Sequence, residues 1–221
     1  MDAISRRERL RAEMHEEILR QARRQVAEGG PEALSLNAIA RELGTSGPAL
    51  YRYFSSREEL LVAVAASAYD DLAAALRLAA DGARRRRPAP RFRAVAAAYR
   101  QWALEHPSFY RLIFGEPVAS GQTAPGLLVP AADRAMDVLV DVLGELPGDP
   151  DAVGGALRGQ LTTWAAAHGR TPPAEPAGLA RAVRAWTRMH GVVSLELMGA
   201  FQSMGLDGGA LFAAEVESIL G

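Results

Sequence analysis

The chain has 221 residues, 49% of them apolar, with 25 basic against 26 acidic residues and a formal net charge of -1. That is enough apolar material for a buried core, and too little net positive charge to hold nucleic acid by bulk attraction, so any such binding must be local. Cysteine is absent, which excludes disulfides, a thiolate nucleophile and Cys-ligated zinc and fits a reducing cytoplasm.

The opening stretch carries charges throughout, and no run approaches the ~20 uncharged apolar residues of a membrane span, so an intracellular protein is expected. All basic residues are arginine; this is a compositional habit without mechanistic content. Helical periodicity dominates, and no alternating run bounded by turn signals makes a strand, so an all-α chain is expected.

The first helix is expected from about Ser5 to Glu28, with Leu10, Met14, Ile18 and Val26 facing inward, and Gly29-Gly30-Pro31 stops it. A second opens at Ser35, a good N-cap, carries Leu36, Ile39, Ala40 and Leu43 at helical spacing, and ends at Gly44. Ser46 can cap a third helix whose first turn holds Pro48, a position that needs no N–H, and which runs to Phe54. A fourth begins at Ser56, with Glu58 and Glu59 where the helix dipole favours carboxylates, and reaches about Ala80.

The segment DGARRRRPAP, Asp81 to Pro90, reads as a loop and a domain boundary. Further helices are expected at Arg91 to Glu105, Pro107 to Phe114, Pro130 to Leu143, Asp151 to His168, Pro176 to Met204 and Asp207 to Leu220. Pro/Gly-rich stretches at 115–126, 144–150 and 169–178 read as loops. The run Arg84 to Arg87 reads as a solvated loop, because the fourth helix would carry it roughly 36 Å from Ser56 at 1.5 Å per residue.

A short helix ending at Leu43, a tight turn at Gly44 and a second short helix at Ser46 or Gly47 make the layout of a helix-turn-helix. In that motif the second helix enters the major groove. Leu50 and Phe54, four residues apart, can join Ile39 and Leu43 in a small core, leaving Tyr51, Arg52 and Tyr53 to point outward. A tyrosine hydroxyl can donate to a phosphate while its ring packs on the sugar.

Residues 34–62, LSLNAIARELGTSGPALYRYFSSREELLV, resemble the DNA-binding signature of the TetR family of bacterial transcriptional regulators, with its Leu-Tyr-x-Tyr-Phe core and Ser-Arg-Glu-x-Leu continuation. HPSFYRLIFGEPV at 106–118 and AWTRMHGVVSLELMG at 185–199 resemble the ligand domain of the subclass with a Trp-x-x-x-His-Gly motif. The resemblance implies a helix-turn-helix DNA-binding domain over 1–55, a connecting helix over 56–82 and a helical-bundle domain for ligand binding and dimerisation over 83–221. It implies a homodimer on a double-stranded DNA operator with two-fold character, most often a repressor, released by a small-molecule effector. It places Ser35 and Asn37 at the start of the second helix, Tyr51, Tyr53 and Arg57 at backbone-contact positions, and Thr45, Ser46, Gly47, Ala49 and Arg52 nearest the base edges. Gly47 and Ala49 depart from the polar residues common in relatives, so modest direct readout and more reliance on DNA shape are expected.

In the second domain, Trp102, His106, Phe109, Tyr110, Phe114, Trp164, Trp186 and His190 are candidates for the wall of an effector pocket, with plain core packing as the alternative. His15, His106, His168 and His190 have no metal-ligand spacing, so no metal is expected, and no cofactor. An inward face on the helix from 176 divides into two strips, Leu179, Val183, Trp186, His190, Val193 and Leu197 beside Ala182, Ala185, Met189, Val192 and Gly199. One strip can face the domain's own core and the other a second protomer, together with Leu211, Phe212, Val216, Ile219 and Leu220 of the last helix. Two rival functions stand beside this one: an architectural DNA binder without an effector, and an enzyme with His190 and Glu196 as acid and base. Six residues apart on one helix, those two side chains diverge, and no enzyme is expected.

Overall fold

The computed structural model describes residues 6–115, 123–146, 153–168 and 176–221. Among them the chain forms ten α-helices and no strand: α1 (Arg6–Gly29), α2 (Leu36–Glu42), α3 (Gly47–Leu50), α4 (Arg57–Gly82), α5 (Pro88–Glu105), α6 (Pro107–Phe114), α7 (Thr123–Gly144), α8 (Gly155–Ala167), α9 (Pro176–Leu197) and α10 (Gly208–Leu220). Short 3-10 turns lie at Pro31–Ala33 and Gln202–Met204. No helix among the described residues is long and apolar enough to cross a membrane. Packing divides the chain into two compact units, Met1–Tyr69 with His106–Ala131, and Asp70–Glu105 with Ala132–Gly221.

In the first unit Ile18, Ala22 and Val26 of α1 are fully buried with Ile39, Leu50, Phe54 and Leu60. Each of these side chains larger than the Ala22 methyl contributes about 1.5–3 kcal/mol by leaving water. The expected inward stripe on α1 holds at Ile18 and Val26 but not at its start. Leu10 is 55% exposed and Met14 is half-buried. His15, which is exposed, stacks its ring on Phe54 at 4.6 Å with planes 29° apart. Positions 14, 18, 22 and 26 follow the four-residue spacing of one helix face, so the inward stripe reaches the half-buried Met14 and stops short of Leu10. Helix α6 packs on α1, with the Arg23 guanidinium 4.7 Å from the centroid of the Phe109 ring and the Ser108 hydroxyl donating to the Ala27 carbonyl.

In the second unit α5 buries Phe92, Val95, Ala96, Tyr99, Trp102 and Ala103 and packs on α9 and α10. Both strips expected on α9 reach the core: Ala182, Ala185, Met189 and Val192 of the small one are buried, and so are Leu179 and Val193 of the other. Val183, Trp186, His190 and Leu197 are half-buried. Charged pairs fasten α5 to its neighbours. Arg93 donates to both oxygens of Glu217, each at 2.6 Å, and Arg100 donates from Nε to Glu196 at 2.8 Å. Arg181 caps the end of α7 by donating to the carbonyls of Leu143 and Leu146 at 3.1 and 2.9 Å.

Proline and glycine account for the boundaries that differ from expectation. Helix α4 runs on to Gly82 and α5 starts at Pro88, so the expected loop of residues 81–90 shrinks to 83–87. Pro88 and Pro90 sit in the first turn of α5, where a missing N–H costs nothing. Helix α7 begins at Thr123 and carries Pro130 inside it. Its expected start at Pro130 is therefore seven residues late, and the exposed ring leaves one helical hydrogen bond unmade. Helix α9 stops at Leu197 rather than Met204, because Gly199 takes a left-handed φ of 75°. There the N–H groups of Gly199 and Ala200 donate back to Glu196 and Leu195 at 2.9 and 3.0 Å, closing the helix. Helix α8 spans Gly155–Ala167. The expected loops at 115–126, 144–150 and 169–178 lie largely outside the described residues.

Candidate nucleic-acid interface

The segment before α2 is held from two sides. Ser35 is the N-cap, its hydroxyl accepting from the Ala38 N–H at 3.3 Å, while its own N–H donates to the Gln25 side chain of α1 at 2.9 Å. Arg57, at the start of α4, donates from Nε to the Leu34 carbonyl at 3.0 Å and from Nη2 to the Pro31 carbonyl at 2.6 Å. The planar fork of a guanidinium suits two carbonyls in one short segment. Ser56 caps α4 by accepting from the Glu59 N–H at 3.1 Å. A backbone N–H, then the Ser56 hydroxyl, hold the exposed Glu58 carboxyl below the usual carboxylate range.

Helix α2 closes through Gly44, whose φ of 62° is left-handed. The N–H groups of Gly44 and Thr45 donate to Arg41 and Ala40 at 3.2 and 2.9 Å. This turn sets α3 against α2, an arrangement that buries Ile39, Leu50 and Phe54 and turns the opposite surface to solvent. Regular α3 covers only Gly47–Leu50, shorter than the expected run to Phe54. The Tyr53 and Phe54 N–H groups still donate to the Leu50 carbonyl at 2.8 and 3.2 Å, so the backbone keeps turning to Phe54. Ser46 occupies the N-cap, but its hydroxyl makes no capping bond.

Asn37, Ser46, Tyr51 and Arg52 are exposed, and Thr45, Gly47, Ala49 and Tyr53 are half-exposed. These eight lie together on α2, the turn and α3, and a Cβ added to Gly47 would come 3.4 Å from Asn37 Oδ1. Ser35 and Arg57 stand apart from them, both engaged with the backbone or side chains of the first unit. Gln25 and His15, which buttress Ser35 and Phe54, were not anticipated. Gln25 is half-buried and His15 exposed, and the apolar spacing of α1 marks neither of them.

The eight expected pocket residues fall in both units. His106, Phe109, Tyr110 and Phe114 belong to the first, where the Tyr110 and Phe114 rings lie 4.9 Å apart. Tyr69 meets Phe114 edge-on at 5.7 Å and its hydroxyl donates to the Ile113 carbonyl at 2.9 Å; burial pushes this phenol up. Trp102, Trp164, Trp186 and His190 belong to the second unit. Trp102 is buried on α5, Trp164 lies beside His168 on α8 at 5.4 Å, and Trp186 stacks over His190 at 5.9 Å. The His190 ring has the Tyr99 hydroxyl 3.5 Å from Nδ1 and the Ser194 hydroxyl 3.5 Å from Nε2, and burial holds its pKa below 6.5.

Comparison with known proteins extends this architecture to a family. Residues 18–64 match the model for bacterial regulatory proteins of the tetR family. Residues 92–219 match the model for a tetracyclin repressor-like C-terminal domain. The HTH-type transcriptional regulator Rv1816 of Mycobacterium tuberculosis is 28% identical over 98% of this chain and 95% of its own length. Among solved structures, SCO4313, described as a candidate regulatory protein, is 40% identical with a TM-score of 0.76 over 98% of this chain and 100% of its own. The TetR family transcriptional regulator PfmR from Thermus thermophilus shares the fold, with a TM-score of 0.56 and 20% identity over 92% of this chain and 96% of its own. The model match over the C-terminal domain alone spans more than half of the 221 residues, and with the helix-turn-helix geometry it identifies the chain as a transcriptional regulator of the TetR family.

Proposed function

We propose that this regulator is a cytoplasmic homodimer that represses transcription by binding a two-fold DNA operator and is released when a small molecule occupies its C-terminal domain. The observation that carries the DNA reading is the polar surface of α2, the turn and α3, set on a core of Ile39, Leu50 and Phe54. Tyr51 and Tyr53 take phosphates, Asn37 and Ser46 supply short polar contacts, and Arg52 is the one long donor toward base edges. Gly47 and Ala49 offer no reading group, which favours recognition of DNA shape. Ser35 and Arg57 act one step behind, holding the start of α2 in place. Two protomers would meet major grooves about 34–36 Å apart or a multiple of that.

Support for dimerisation is the exposure of Leu195, Met198, Met204 and Leu206 at the end of α9 and before α10, apolar surface that a two-fold contact would cover. Support for an effector is the half-buried His190 with its two long hydroxyl contacts and Trp186, on the segment read as the Trp-x-x-x-His-Gly motif. A ligand that moves the protein from 1:99 to 99:1 between two forms must prefer one by roughly 5.5 kcal/mol. Repression rests on the habit of the family. No catalytic role is assigned, since Glu196 is committed to Arg100. The test is selection of duplexes from a random library by the purified protein. A palindromic motif supports this reading, and sequence-independent binding alone would favour an architectural DNA binder.

A further inference from the structure

The first turns of α1 take no part in the helix-turn-helix, yet they carry a dense run of positive charge at the surface of the first unit. Residues 6–11 read RRERLR, four arginines against one glutamate, in a chain whose formal net charge is -1. On a helix of 3.6 residues per turn, positions 6, 7, 10 and 11 fall within one arc of about 140°, and Glu8 and Glu13 lie outside it. The structure shows where that arc faces. Arg6, Arg7, Leu10 and Arg11 line a groove of about 770 Å3 whose other wall includes Arg52 and Tyr53. No carboxylate lines it. The nearest acidic residue along that face of α1, Glu17, pairs with Arg20, and Glu42 of α2 pairs with Arg24.

Four guanidinium groups around a groove with no carboxylate in its lining repel one another, and that cost is recovered when an anion enters. The groove holds cationic side chains, the exposed aliphatic Leu10 and the Tyr53 ring. That combination suits a sugar-phosphate backbone, where arginines meet phosphates and apolar groups meet deoxyribose. Continuity with Arg52 and Tyr53 fixes the partner as the same duplex that α3 engages. We propose that Arg6, Arg7 and Arg11 bind the phosphates of operator DNA next to those held by Tyr51 and Tyr53, extending each protomer's footprint along the strand. This proposal rests on the DNA-binding reading above. It assigns the α1 contact to affinity and salt dependence rather than to sequence choice.

The test compares the full-length protein with R6Q/R7Q/R11Q and R6K/R7K/R11K on the selected duplex, across a salt series. Each phosphate contact contributes a slope of about 0.9 in log K against log salt, so losing three flattens it by about 2.7. The glutamine variant is expected to bind at least ~10-fold more weakly at low salt, flatten the slope by about 2 or more on this scale, and select the same motif. The lysine variant is expected to stay close to the parent protein. Equal affinity and slope in the glutamine variant would overturn the α1 contact while leaving the DNA-binding reading intact. An equal loss in both variants would also overturn it, since charge would not be the cause. If the parent protein selects no duplex while Tyr51→Ala changes nothing, the DNA-binding reading itself fails and takes this one with it.

Discussion

Arg57 and Arg52 stand five residues apart and do different work with the same group. Arg57 spends its fork on the carbonyls of Pro31 and Leu34, so in the proposed complex it would act on DNA only through the position it gives to α2. Arg57→Lys keeps the charge but replaces a planar fork by one ammonium. Denaturant unfolding is expected to show a loss of about 1–2 kcal/mol, with the salt slope of DNA binding unchanged. Arg52 and Tyr51 are exposed beside each other. Tyr51→Ala is expected to weaken specific and random duplexes together, whereas Arg52→Ala relaxes sequence preference, which a competition assay with single-base variants of the operator separates. If Tyr51→Ala bound with parental affinity, its phosphate assignment would be lost. His190 gives a pH signature. Burial lowers its pKa below 6.5, so the unfolded chain takes up the proton first. Its contribution to stability is whole above that value and declines as pH falls through the lowered pKa. His190→Gln is expected to remove that share of the decline in urea midpoints between about pH 8 and about pH 5.

At the scale of elements, α2 and α9 end in the same way, with a left-handed glycine and two N–H groups returning to the last turn. Gly44→Ala meets open space, so its cost is purely conformational. A loss of about 1–2 kcal/mol is expected, read as a lower thermal midpoint, and an unchanged midpoint would mean the turn relaxes elsewhere. These ends also mark what could be read in advance. Gly44 announced itself because it follows a short periodic run and precedes Ser46, a residue type suited to an N-cap position. Gly199 did not, because apolar spacing continues past it and a glycine within such a run resembles helix interior. Pro88 and Pro130 misled for one reason. Proline permits the first turn of a helix and, at an exposed face, its interior, and only packing distinguishes these from a loop. The helix-turn-helix was legible because small core, turn and outward residues are all encoded within twenty residues of one another. The start of the α1 stripe was not, since Leu10 continues the apolar spacing of Met14 and Ile18 yet stands exposed.

For the whole molecule the formal net charge of -1 matters as a contrast. Bulk attraction cannot draw this chain to DNA, so a binding surface must concentrate charge locally, as the proposed contacts of Arg52 and the α1 arginines, which line one groove, would do. The expected pocket residues divide between the two compact units, and sequence spacing alone could not separate His106, Phe109, Tyr110 and Phe114 from the tryptophans that follow them in chain order. Their grouping depends on α6 packing against α1, a contact between segments about eighty residues apart. The central claim is specific binding of a two-fold site by two protomers. It is tested most directly by titrating the selected palindromic duplex and a scrambled duplex of equal length at a fixed salt concentration, with the stoichiometry measured at saturation. The account predicts two protomers per duplex, or a multiple of two, and a preference of at least ~1,000-fold for the palindrome. Equal affinity for both duplexes, or one protomer per duplex at saturation, would contradict it.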